Sequence, residues 1–226
     1  MWRGIHTGIN NATSTMKNED LHGNVPDSAP VALVIIDMIN DLEFPDAEDF
    51  LEPTLAAARC IADLKRRMED ANLPVIYVND NFGRWRSNFD DLLNHCLTDD
   101  VRGKPIAELL RPSPPDYIVI KPKNSAFYAT TLETLLLYLR VKRIILTGIS
   151  ADSCILFTAN DAYVRDLELF IPADCVASGK EVHKQEALAY MQRVLKADTR
   201  PSTELDLHQL AAWTQAESRG GEENTV

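Results

Sequence analysis

Five short apolar runs punctuate this chain, and longer segments with helically spaced apolar residues separate them. The runs are "VALVIID" (31–37), "LPVIYVN" (73–79), "DYIVIK" (116–121), "VKRIILTG" (141–148) and "LELFIPA" (167–173). They are rich in Val, Ile and Leu, and apolar residues follow one another with few polar interruptions. Strands of that kind are buried on both faces, as in parallel sheets covered by helices on each side. Between the runs, Leu51, Leu55, Ala58, Ile61 and Ala62 recur at helical spacing on towards Met68, and residues 131–139, 151–165 and 181–197 read as further helices. A short sixth strand is expected near Ser202, followed by a last helix over 206–216. Strands and helices in alternation predict an α/β fold: a three-layer α/β/α, doubly wound, mainly parallel six-stranded sheet.

The 226 residues suit one large domain of this kind. Residues 1–29 are rich in Asn, Thr, Ser, Asp and Gly and are expected to form a flexible arm. The domain then occupies 30–216, and 217–226 reads as a frayed tail. The 34 acidic residues outnumber the 23 basic ones, for a net charge of −11. That balance excludes a basic footprint for nucleic acid and offers nothing to anionic lipid. No stretch reaches the roughly 18 unbroken apolar residues of a membrane span, and the first residues lack the apolar core of a secretory signal. Four cysteines without a C-x-x-C pair suggest a reducing, cytoplasmic setting rather than a disulfide framework.

In doubly wound sheets, ligands bind outside the carboxyl ends of the strands. The first run ends on Asp37, the third on Lys121, and the fourth leads through "GISADSC" to Cys154. Singly, each has an ordinary structural role: a turn acid, a solvated strand-end lysine, a small residue in a helix's first turn. Together they bring an acid, an amine and a thiol to one sheet edge. A nucleotide-binding domain is disfavoured, because no G-x-G-x-x-G follows the first run and "DMIND" would repel a pyrophosphate.

Three stretches, "ALVIIDMINDL", "VIKPKNSAFYATTLETLL" and "RIILTGISADSCILFTANDAYVRDLELFIPADCVAS", resemble the isochorismatase-like cysteine hydrolases. The resemblance runs from about residue 30 to about 205, and its most specific part joins the glycine-to-cysteine turn to a T-A-x-D-A helix. It implies a catalytic triad of Asp37, Lys121 and Cys154, with Lys123 as the fallback lysine. It also implies an oxyanion hole from the backbone N–H groups of Ser150 and Cys154, and a cis peptide between Ile149 and Ser150. No cofactor is expected, and a dimer or tetramer is.

The expected chemistry follows from those residues. A helix N-terminus and a neighbouring ammonium are expected to favour the Cys154 thiolate. Asp37 serves as general base, then returns its proton to the leaving amine. The leading reading is therefore a C–N hydrolase of a small amide, ureide or N-carbamoyl compound, working through a thioester. The alternatives are a vinyl-ether hydrolase using Asp37 as acid, and a catalytically silent interaction protein.

Metal-dependent nicotinamidases of this family carry a D-x-H signature after the second strand. Here Asp80 is followed by Asn81 and Phe82, and His95 reads as a surface or packing residue, so no metal site is expected. Asn81, Trp85 (between Arg84 and Arg86) and Phe127 are the candidates for contacting substrate. Ser125 is expected to cap the helix that follows it.

Overall fold

The computed structural model describes residues 28–81 and 88–212. Its first strand, β1 (Val31–Ile36), is buried at every position. The reason is geometric: side chains alternate across a strand, and both faces of this one are covered. Val31, Leu33 and Ile35 enter one apolar cluster, while Ala32, Val34 and Ile36 enter the other.

The first cluster is closed by α1 (Glu48–Asp70), through Ala58, Ile61, Leu64 and Met68, after which the chain returns as β2 (Val75–Asp80). Two helices then follow on the same face, α2 (Phe89–Thr98) and α3 (Lys104–Leu109), before β3 (Tyr117–Lys121). The second cluster is closed by α4 (Leu132–Tyr138), α5 (Leu156–Tyr163) and α6 (Glu181–Val194). Between α4 and α5 run β4 (Arg143–Ile149) and a π-helical turn, Ala151–Ile155. Beyond α5 come β5 (Glu168–Phe170) and the two-residue β6 (Val176–Ala177), and α7 (Leu207–Ala211) ends the described chain.

All strand pairings are parallel, in the order β3–β2–β1–β4–β5, with β6 alongside the end of β4. The sheet grows outward from β1 to β3, then reverses to place β4 on the other side of β1. That reversal opens a crevice at the carboxyl ends of β1 and β4. Gly148 makes the approach possible: its φ is 115°, and an added Cβ would lie 2.0 Å from the Ile36 carbonyl oxygen.

The expected three-layer α/β/α architecture is therefore present, with two corrections. The sixth strand is Val176–Ala177, not a strand near Ser202. Residues Ser202–Glu204 form a 3-10 turn instead, because Pro201 has no N–H to offer a ladder and Ser202 gives its N–H to Asp174 Oδ1 at 2.7 Å. The chain also forms α2 and α3, two helices absent from the sequence expectations. Among the described residues, no helix is long and apolar enough to cross a membrane.

Candidate active site

Strand register gathers the site. Ile36 pairs with Val78 on one side and Gly148 on the other, and Asp80 pairs with Lys121. Asp37 is thus the first residue past β1, level with the last residues of β2, β3 and β4. Its N–H still donates to the Val78 carbonyl at 3.0 Å while its φ of 55° ends the strand. Aspartate tolerates this left-handed conformation better than most residues. Asp37 Oδ1 accepts the Asp80 N–H at 2.7 Å, which fixes the carboxylate.

Lys121 is fully buried at the end of β3. Its Nζ lies 2.8 Å from Asp37 Oδ2, 3.2 Å from Asp80 Oδ2 and 3.4 Å from Cys154 Sγ. The three residues of the implied triad are therefore in mutual reach, and Asp80 joins them. From sequence, Asp80 stood out only as the start of an incomplete metal signature. Its position as the strand-end residue beside Lys121 was the signal that could have found it.

Cys154 occupies the π-helical turn, not a regular first turn of helix. Ser150 holds that turn by accepting the N–H groups of Ser153 and Ile155, each at 3.1 Å. The Ile149–Ser150 peptide is cis. Thr158 on α5 donates its hydroxyl to the Cys154 carbonyl at 2.7 Å and accepts the Ala126 N–H at 3.0 Å. Asp161, one turn on, accepts the Ser125 hydroxyl. So the threonine and aspartate of the T-A-x-D-A stretch pin the loop that follows Lys121 against the helix that carries Cys154.

Electrostatics correct one expectation. Burial pushes the Cys154 thiol up to about 12, the Asp37 carboxylate adds to the push, and Lys121 opposes both without prevailing. Burial and the Asp37 carboxylate thus oppose the thiolate that the sequence expectation favoured. Burial also raises the Asp37 carboxyl above its ordinary range, against the pull of Lys121. Lys121 itself loses by burial but gains more from Asp37, Cys154 and Asp80, and stays an ammonium.

A cavity of about 210 Å³ opens beside this cluster, bordered by Asp80, Asn81, Asn88, His95 and Ile120 among others. Asn81 borders this cavity and donates its N–H to the Lys121 carbonyl at 3.1 Å, whereas Asp37, Lys121 and Cys154 are not among the residues lining it. Phe127 does not border that cavity. It is buried in the second core cluster, with the Arg165 guanidinium 4.8 Å from its ring centroid. Trp85, Arg84 and Arg86 lie outside the described residues. Ser125 caps no helix: its hydroxyl accepts the Phe127 N–H at 3.2 Å, and Thr130 serves the first residue of α4 instead. His95 is pinned between Asp41 (3.3 Å) and Asp99 (2.7 Å). Among the described residues, no three His, Cys, Asp or Glu side chains group as metal ligands would.

Comparison with known proteins agrees with this fold. The chain is 42% identical over 170 residues to the isochorismatase family protein YaaI of Bacillus subtilis, covering 75% of this chain and 93% of that one. It is 27% identical over 156 residues to maleamate amidohydrolase of Pseudomonas putida, covering 64% of this chain and 71% of that one. Its structure resembles that of N-carbamoylsarcosine amidase from Thermoplasma acidophilum with a TM-score of 0.60, at 26% identity, over 78% of this chain and 98% of the other. The isochorismatase domain model matches residues 31–200. By sequence, by sheet order and by relatives that include amidohydrolases, the chain belongs to the isochorismatase-like hydrolase family.

Proposed function

We propose that the protein hydrolyses a C–N bond of a small amide, ureide or N-carbamoyl compound through a Cys154 thioester. The reading rests above all on Lys121 Nζ standing 2.8 Å from Asp37 and 3.4 Å from Cys154, buried from bulk water. A thiol that holds its proton at rest needs a base at the moment of attack, and Asp37 is the acceptor in reach. Its raised affinity for protons fits that role, since a carboxylate shifted towards neutrality is a stronger base and, once protonated, a useful acid.

In the proposed sequence, Cys154 Sγ attacks the carbonyl carbon while its proton passes to Asp37. The N–H groups of Ser150 and Cys154 receive the oxyanion. Collapse expels the amine or ammonia, which takes the proton from Asp37, and leaves the thioester. Asp37 then takes a proton from water, hydroxide adds to the thioester, and Cys154 recovers its proton as the acid departs. Lys121 remains charged throughout and balances whichever of its neighbours carries the negative charge. The amidohydrolases among the relatives support the bond type and leave the compound open.

The elevated Asp37 also favours a second reading, acid-catalysed vinyl-ether cleavage without the thiol. One experiment separates them. Purified protein is incubated with small amides, ureides, N-carbamoyl amino acids and isochorismate, with ammonia and pyruvate measured in each. Ammonia release that is lost in Cys154→Ala supports the thioester route. Pyruvate release that survives Cys154→Ala, with no ammonia from any amide, replaces it with the second.

A further inference from the structure

The geometry points to Asp152 as a positioning residue for the oxyanion hole: it ties the Ser150 segment, whose N–H is a proposed donor, to the start of α6. The inference rests on the thioester reading and adds a residue to it. Asp152 Oδ1 accepts two hydroxyls at once, that of Ser150 and that of Ser178, the second at 2.6 Å. Ser178 is itself buried, at 2% exposure.

The placement of Ser178 explains a strand of only two residues. β6 pairs Gly148 with Val176 and Ile149 with Ala177. One step further along that register sets Ser178 beside Ser150, each with a hydroxyl within reach of one carboxylate. On the far side, His183 of α6 brings Nδ1 to 3.7 Å from Asp152 Oδ2. Burial alone would raise the Asp152 carboxyl, yet the two serine hydroxyls hold it below its ordinary range, so the acceptor is charged at neutral pH. The knot therefore joins the end of β4, β6 and α6 at Ser150, the second residue of the cis peptide, through a carboxylate two positions before the nucleophile. Asp152 Oδ1 is committed to the two serines, and it acts on the donor through Ser150.

An acyl-transfer probe and an alkylating probe separate this role from any effect on the thiol. p-Nitrophenyl acetate acylates Cys154 through a tetrahedral oxyanion: the S–C bond forms, the ester C–O bond breaks, the thiol proton goes to Asp37 and p-nitrophenolate leaves. Iodoacetamide displaces iodide directly at carbon and builds no oxyanion. A misplaced donor is expected to slow the first reaction in Asp152→Ala by about 10- to 100-fold, and to leave the second within about twofold, the two reactions sharing the same nucleophile. Asp152→Asn keeps an acceptor oxygen and should restore ester acylation to within about threefold, the remaining difference being that between a charged and a neutral acceptor. Ser178→Ala, which leaves every residue of the proposed machinery in place, should slow acylation in the same selective way. Equal loss of both reactions in Asp152→Ala and Ser178→Ala, or loss of neither, overturns the assignment. Should Asp152→Ala not fold, Ser178→Ala and Asp152→Asn still decide it. If the wild-type protein reacts with iodoacetamide at Cys154 but is never acylated, the thioester reading itself fails and the role of Asp152 goes with it.

Discussion

Asp80 Oδ2 lies 3.2 Å from the Nζ of the fully buried Lys121, which also reaches Asp37 at 2.8 Å. One ammonium thus answers to two carboxylates, and among the described residues the cluster has no spare positive charge with which to hold a thiolate. Burial is the main push against the Cys154 thiolate, the Asp37 carboxylate adds to it, and Lys121 opposes both; in the proposed mechanism, attack is therefore coupled to proton transfer onto Asp37. Asp80 does double service, since its backbone N–H also fixes the orientation of Asp37.

Removing the ammonium leaves the buried Asp37 carboxylate facing the thiol, with the partly exposed Asp80 carboxylate beside it. Lys121→Ala should therefore move the pH profile of Cys154 alkylation further up, because Lys121 is what opposes the upward push on that thiol. Each unit of movement lowers the thiolate fraction at a given pH about tenfold. Lys121→Arg should fail to restore the profile, as a planar guanidinium does not fit a space shaped for a compact ammonium with three partners. Iodoacetamide rates across pH, with near-UV circular dichroism to confirm folding, check this. Coincident profiles for wild type and Lys121→Ala would place the lysine outside the reaction.

The other three cysteines are expected to be dispensable for turnover. Cys96 and Cys175 are fully buried and Cys60 partly so, whereas the thiol that acts on both Lys121 and Asp37 is that of Cys154. Their alanine variants should keep most activity, with a stability cost on the order of 1 kcal/mol each from the small cavity left. Cys154→Ala should abolish ammonia release and fold normally. Activity retained in Cys154→Ala but lost in one of the others would reverse the assignment.

How far the sequence could be read follows from what each feature depends on. The strands that position Asp37, Lys121 and Cys154 are distinct apolar runs, and a residue at the end of such a run is placed by the sheet itself. Gly148 and Cys154 were legible together because the turn needs a residue without Cβ where β4 meets Ile36. β6 was not legible: two residues have no period, and Val176 and Ala177 gain their partners only from the register of β4. α2 was missed although Phe89, Leu92, Leu93 and Cys96 fall at helical spacing and Asn88 caps it by accepting the Asp91 N–H at 2.8 Å. The protonation of Cys154 could not be read at all, because it depends on burial and on the balance of three charges brought from separate strands.

Buried thiols should make the fold sensitive to alkali. Burial, with Asp41 adding to it, pushes Cys96 from near 9.0 up to about 12, and burial and Asp174 push Cys175 up as well. A group held above its unfolded value binds more protons folded than unfolded between those two values. Its stabilisation is whole below about pH 9 and is lost as pH rises through its folded value. Urea midpoints should accordingly fall as pH climbs above 9, and Cys96→Ala should make that fall shallower. An unchanged slope in the Cys96→Ala, Cys175→Ala double variant would show that these thiols do not govern it.

Asp37→Asn offers the sharpest test, because the same change should move two measurements in opposite directions. Asparagine tolerates the left-handed backbone at this position, where φ is 55°, so the turn should survive. After burial, the Asp37 carboxylate is the largest influence pushing the Cys154 thiol up, and Lys121 opposes it. With a neutral amide in its place, the lysine's pull is less opposed and the thiol's pKa should fall. Iodoacetamide alkylation at neutral pH should then run faster than in the wild type. Amide turnover should nevertheless drop by at least about 100-fold, the range that loss of a positioned general base produces. The variant would hold a more reactive thiol and no means of returning a proton to the leaving amine. Should alkylation slow in step with turnover, Asp37 would be activating the thiol at rest, and the coupling of proton transfer to attack would be wrong.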